Sequence, residues 1–281
     1  MPKRFERIGE RYERLLILSD TGKRTKALNR VVLCQCDCGK ICEVDLSKLR
    51  MGKTLSCGCI RPERIRLAKE YRINQEVFDS INEYSAYWIG FLLADGNINL
   101  TSGKNCISIQ LAIKDILHLE KFRDFIEGNQ KIEIRENGLC RYSVGSKRIV
   151  TQLGNYGVIS KKTFTASPSE LLIDNRHFWR GMIDGDGCLI NEIIKDKNIP
   201  RIILTGTLEV VSSFRDFLVA NQIVSLASIE RDNSVFRFRL GGQAAFKAIR
   251  LLYFDCNVAL DRKMELAKQI IYTPSLRDCI C

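Results

Sequence analysis

The chain has 281 residues, 45% of them apolar, enough for one large or two ordinary domains with a real core, and this excludes a disordered or low-complexity protein. Its formal net charge of +11 and pI near 9.1 point to an acidic partner, of which nucleic acid is the commonest. The charged stretch over residues 3–14 does not resemble a signal peptide and no apolar run reaches membrane length, so an intracellular protein with no membrane partner is expected.

The charge is uneven. Residues 1–72 hold 18 Lys and Arg against 9 Asp and Glu, whereas the remainder holds 26 against 24, so an N-terminal accessory region is expected to add phosphate affinity to a nearly neutral core. Residues 14–18 (RLLIL) and 30–33 (RVVL) read as short strands separated by a turn-rich segment. The second strand runs into CQCDCG, residues 34–39. A helical turn near residues 45–49 follows, and then SCGC, residues 56–59.

Twelve cysteines would suit a secreted disulfide scaffold, but six of them crowd into residues 34–59. Paired CxC elements some twenty residues apart can supply four thiolates, the tetrahedral set that zinc prefers. The favoured ligands are Cys36, Cys38, Cys57 and Cys59, with Cys34 as the alternate and Cys42 as a core side chain. CDCG followed by SCGC resembles zinc-binding N-terminal modules attached to phage and intron nucleases, in which the counterpart of Cys34 is dispensable. Residues 1–60 are therefore expected to form a small β-rich zinc module whose metal is structural. Residues 61–82 read as a basic linker, with five cationic residues between Arg61 and Arg72.

Beyond the linker an apolar helix-like run, WIGFLLADG (residues 88–96), recurs as WRGMIDGDG (residues 179–187). Gly90 and Ala94 in the first copy, and Gly181 and Gly185 in the second, are four apart and share a helix face, so two helices could approach almost backbone to backbone there. Each helix is expected to stop at Asp-Gly, with the glycine in the left-handed conformation that often follows a helix end. Parallel packing would bring Asp95 and Asp186 together at negative helix ends, an arrangement that calls for a divalent cation.

After each copy the chain repeats itself. FRDFI (residues 122–126) matches FRDFL (residues 214–218), 92 residues apart, against 91 for the two tryptophans, Trp88 and Trp179. Each unit reads helix, strand, helix, two strands, helix, and residues 107–111, 131–135 and 236–240 alternate as half-buried strands do. The expected fold class is α+β, with two pseudo-symmetric repeats, residues 83–173 and 174–281, whose antiparallel sheets carry polar outer faces. Ser108, Gln110, Lys131, Arg135, Arg141, Arg237 and Arg239 are the candidates for reading bases in a major groove.

The two runs resemble the signature of the LAGLIDADG homing endonucleases. The second copy follows the signature closely, whereas the first has Leu93 where the second has Asp184, so only the final acid is shared. The resemblance covers both repeats and implies αββαββα-like units and a monomer that cuts both strands of double-stranded DNA at a long site with magnesium. It implies that Asp95 and Asp186 bind the catalytic metal and that Lys162 and Lys263 face the active site, with Lys161 and Arg262 as neighbouring alternatives. Only His118 and His177 are present, too few for an HNH nuclease or a His-rich zinc enzyme. A non-cutting regulator or an RNA maturase on the same scaffold is the alternative reading. Loss of either terminal acid would have favoured it.

Overall fold

A computed structural model describes residues 6–62, 71–100, 105–160, 166–194, 197–225 and 227–272. The chain divides into two compact units, Met1–Tyr71 and Arg72–Cys281.

The first unit is an antiparallel meander of β1 (Arg11–Tyr12), β2 (Leu15–Arg24), β3 (Arg30–Cys36) and β4 (Ile41–Asp45), paired in that order. Helix α1 (Leu46–Arg50) follows at once because Asp45 accepts the Ser47 amide at 2.8 Å as its N-cap. Its core is a handful of side chains, among them Leu15, Ile17, Val32, Cys34, Val44 and Leu49. So few apolar groups cannot alone offset the entropy of ordering such a unit.

The second unit contains two copies of one arrangement. The first runs α2 (Glu83–Asp95), β5 (Gly96–Asn99), β6 (Cys106–Ala112), α3 (Ile116–Phe125), β7 (Glu133–Ile134), β8 (Leu139–Gly145) and α4 (Lys147–Asn155). The second runs α5 (Arg176–Asp186), β9 (Gly187–Ile194), β10 (Lys197–Gly206), α6 (Leu208–Ala220), β11 (Ile229–Asp232), β12 (Val235–Gly241) and α7 (Gly242–Tyr253), followed by α8 (Asp261–Tyr272). Both sheets are antiparallel with matching orders, β5-β6-β8-β7 and β9-β10-β12-β11. Trp88 packs on Phe122 and Phe122 on Tyr142, just as Trp179 packs on Phe214 and Phe214 on Phe238, with ring centroids 4.9–6.1 Å apart. The fold is α+β with two αββαββα repeats.

The sequence reading was one strand short in each repeat. The glycine after each signature acid is not left-handed: Gly96 has φ −74° and ψ 151°, Gly187 φ −93° and ψ 169°, so the chain passes from helix directly into β5 or β9. Glycine is needed there for space instead. A Cβ on Gly96 would lie 2.5 Å from the Leu92 carbonyl oxygen, and one on Gly187 2.7 Å from the Ile183 Cα. The strand expected over residues 131–135 is likewise shorter, leaving Lys131 exposed ahead of β7.

Helices α2 and α5 run parallel in the centre of the unit. A Cβ on Gly90 would fall 2.1 Å from the Phe178 carbonyl oxygen, one on Gly181 2.1 Å from that of Tyr87, and one on Gly185 2.3 Å from the Ala94 Cβ. Backbone meets backbone, so no rotamer change can make room. Gly181→Ala is expected to destabilise by about 3 kcal/mol, the upper part of the overpacking range, and Gly90→Ala similarly. Gly154, in α4 with nothing within 4 Å of an added Cβ, is the control: Gly154→Ala should stabilise by ~0.5–1 kcal/mol. Urea denaturation of the three variants measures both signs.

Candidate active site and metal centre

Asp95 and Asp186 end α2 and α5, and both are exposed. Parallel packing brings the two helix ends together. The position of a Cβ on Gly185, the residue before Asp186, lies 3.6 Å from the Asp95 Cγ. A cavity of about 270 Å³ opens beside Asp186, walled by Leu93, Ala94, Met182 and Val210 and given polar edges by Thr205 and Thr207. Strand register extends the likeness of the two halves: Gly96 pairs with Ile109 and Gly187 with Leu204, so Gln110 and Thr205 occupy corresponding places next to the two acids.

Lys263, near the start of α8, is buried, and its ammonium donates to the carbonyl oxygens of Ile183 (2.6 Å), Asp184 (2.9 Å) and Gly187 (2.7 Å). Three protons on three acceptors saturate it. Burial pushes its pKa down while the Asp184 carboxylate pushes it up. A cation there offsets the negative end of α5 at the turn that carries Asp186. In this arrangement Lys263 anchors the helix end, and its ammonium has no proton left for a substrate oxygen. Lys162 and Lys161 lie outside the described residues. Arg262, half-exposed, pairs with the largely buried Asp115 at 3.2 Å.

Above this end the helix interface holds two polar clusters that periodicity did not reveal. The buried Asp184 carboxylate accepts hydrogen bonds from the Tyr87 hydroxyl (2.7 Å), the Tyr253 hydroxyl (2.6 Å) and the Leu260 amide (2.6 Å). Burial raises its pKa, against the lowering effect of Lys263 and these donors. Because Tyr87 spends its proton on Asp184, His118 Nε2, 3.0 Å away, must donate to the Tyr87 oxygen. Burial depresses the His118 pKa to about 3, so the ring is neutral at physiological pH. In the second cluster the fully buried Arg180 donates to Val258 O (2.8 Å), Leu252 O (3.0 Å), His177 Nδ1 (2.8 Å) and Glu83 Oε1 (2.9 Å), and its guanidinium lies 5.3 Å from the Tyr87 ring centroid. His177, depressed to about 4 chiefly by burial, sits inside α5, and Asn175 is the N-cap.

The available signal was the mismatch between copies: Arg180 and Asp184 stand where the first helix has Ile89 and Leu93. Arg180→Met is expected to cost about 3 kcal/mol, near the low end for breaking a buried pair because Glu83 retains bonds from the Asn257 amide and side chain. A double-mutant cycle with Glu83→Gln should recover part of the loss, and additive costs would show that the pair is not coupled.

The outer faces of the sheets carry the expected polar residues in unequal settings. Gln110 and Arg239 are exposed, while Arg135, Arg141 and Arg237 are half-buried. Ser108 is buried, and its hydroxyl accepts a hydrogen bond from Arg141 Nη2 at 3.0 Å.

In the first unit the sulfurs of Cys36, Cys38, Cys57 and Cys59 all lie within 4.8 Å of one another, with Cys36 to Cys59 at 3.7 Å and Cys38 to Cys57 at 3.3 Å. Zinc–sulfur bonds of about 2.3 Å in a tetrahedron require sulfur separations near ~3.8 Å, so the four thiols fit that ion. Backbone amides of Cys38 and Cys57 aimed at Cys36 lower its pKa. Cys34 is fully buried in the core with its pKa raised to about 11 by burial, and Cys42 packs against the same core.

No protein-family model matches the sequence, and no curated protein matches it. Among solved structures the chain is similar to the LAGLIDADG meganuclease I-AabMI bound to uncleaved DNA, at 17% identity and a TM-score of 0.46 over 68% of this chain and 89% of that one. It is also similar to the meganuclease I-SmaMI bound to uncleaveable DNA, at 13% identity, a TM-score of 0.45, and 70% and 96% coverage. The I-SmaMI homing endonuclease bound to cleaved DNA gives 14%, 0.42, and 71% and 94%. Among the described residues no helix is long and apolar enough to cross a membrane.

Proposed function

We propose that this chain is a metal-dependent endonuclease of the LAGLIDADG kind, which hydrolyses both strands of double-stranded DNA at a long site as a monomer. The observation that carries the reading is the pair of exposed carboxylates, Asp95 and Asp186, at the abutting ends of two parallel helices in pseudo-symmetric halves. Two hard carboxylates at negative helix ends suit a divalent ion such as magnesium, which would supply charge stabilisation to the attacking and leaving oxygens. Each acid serves one strand, and the near-equivalence of the halves matches the near-equivalence of the strands. Lys263 holds the end of α5 and so places Asp186, and Lys162 is the residue proposed to face the scissile phosphate. The outer faces of the two sheets lie on the substrate, with Gln110, Lys131, Arg135, Arg141, Arg237 and Arg239 toward the groove and Ser108 supporting Arg141. The first unit holds a structural zinc through Cys36, Cys38, Cys57 and Cys59 and adds sequence-independent phosphate contacts.

Selection of cleaved duplexes from a randomised library by the full chain in magnesium tests this. Recovery of one long consensus with both strands cut is the expected result. Tight binding to selected DNA without cutting in magnesium or manganese would replace the nuclease reading with that of a regulator or RNA maturase.

A further inference from the structure

The outward arginines of the two sheets are arranged unlike those of a surface that merely attracts phosphate. In the second sheet Arg237 Nη2 lies 2.6 Å from Asp232, Arg239 pairs with Glu230, and Arg201 Nη2 lies 2.8 Å from Glu192. In the first, Arg135 Nε lies 3.3 Å from Glu133 while its Nη1 donates to Gln110 at 3.0 Å. Register shows that part of this is repeated. Gln110 pairs with Arg141 and Thr205 with Arg237, while Glu133 stands opposite Arg141 and Glu230 opposite Arg237. A glutamate therefore stands in the same place in both halves and pairs with a neighbouring arginine, Arg135 or Arg239, while the arginine directly across from it, Arg141 or Arg237, bonds to Ser108 or Asp232.

Stability does not account for these pairs. They lie half-exposed at the surface, the most open pair being Arg239 and Glu230 with side-chain accessibilities of 42% and 53%, and solvent-accessible pairs stabilise a fold little. On a face that meets DNA the carboxylates repel phosphates and lower general affinity. What they provide is orientation: an arginine tethered through one edge of its guanidinium loses less side-chain freedom on binding and keeps its other N–H groups for O6 and N7 of a guanine. A guanidinium held in this way also disfavours any base pair that leaves it unmatched.

We propose that Glu133, Glu192, Glu230 and Asp232 are specificity-determining residues that act through Arg135, Arg201, Arg239 and Arg237, aiming each at a guanine. The proposal rests on the reading of the sheets as the DNA-contacting surface.

The test is binding selection from a randomised duplex library in magnesium-free buffer, using the full chain and its Glu230→Gln, Asp232→Asn, Arg239→Gln and Arg237→Gln variants. Thermal melts check that each remains folded, as expected for surface changes. Wild type should select a G·C pair at the position that Arg239→Gln relaxes. Glu230→Gln should lose that same preference by about tenfold while its affinity for a non-cognate duplex stays equal or rises. Asp232→Asn and Arg237→Gln should share a second position. Retained preference in the carboxylate variants would overturn the proposal. So would loss at a position that the arginine variant retains, since the carboxylate would then read its own base pair. Wild type that binds no duplex at all would instead sink the underlying DNA reading, a result distinguishable from either.

Discussion

Asp95→Asn and Asp186→Asn are each expected to abolish double-strand cleavage in magnesium, with the rate at the affected strand falling on the order of 10⁴-fold, about 5 kcal/mol in the barrier. Asparagine preserves the shape of the helix end and removes the charge that would hold a divalent ion. If each acid serves one strand, as proposed, the first product seen with either variant should be a nicked duplex, cut on opposite strands in the two cases. Affinity for the selected duplex should be unchanged, since the acids end helices α2 and α5 while the residues proposed to read bases lie on the sheets. Both acids are exposed, so the melting temperature should not fall. Strand-resolved gels with end-labelled target measure this. Full double-strand cleavage by either variant would show that the catalytic centre lies elsewhere.

Removal of zinc is expected to unfold the first unit and leave the second intact. Tetrathiolate zinc sites in small modules contribute on the order of 10–16 kcal/mol at neutral pH, far more than the few apolar side chains of this core. Hydrogen exchange should therefore become fast throughout residues 6–62 after chelation, with protection of α2 and α5 unchanged. Elemental analysis should give one zinc per chain. Cys57→Ser should lose it, whereas Cys34→Ser should keep it and be destabilised by a hydroxyl placed in a dry core. Zinc retained by Cys57→Ser and lost by Cys34→Ser would transfer the fourth ligand to Cys34.

The features legible in the amino-acid order were those encoded by short-range pattern. The spacing of Gly90 and Ala94, and of Gly181 and Gly185, announced a close helix pair, because residues four apart necessarily share a helix face. The 91- and 92-residue repeats announced two similar halves, and the CxC pairs announced a cluster of sulfurs. Each is a statement about neighbours along the chain.

What the tertiary structure decided concerns groups distant in sequence. Tyr87 and Asp184 are 97 residues apart, and their hydrogen bond exists only because the glycines let α2 and α5 touch. The same approach buries Arg180 against Glu83, a contact invisible to periodicity because a charged residue on an apolar face reads as an imperfection until its partner is known. Gly96 and Gly187 were legible as special, but the reason is a steric demand from the preceding helical turn, and the strands that begin at these residues went unread. Lys263 shows the limit most plainly. The family resemblance implied a group facing the active site, and only the fold turns its ammonium onto three carbonyls of α5 and the turn beyond. Local sequence sets the propensity and the face of each element. Which buried polar group meets which is set by the packing, because leaving one unpaired costs about 1–3 kcal/mol, a large share of the stability of a fold.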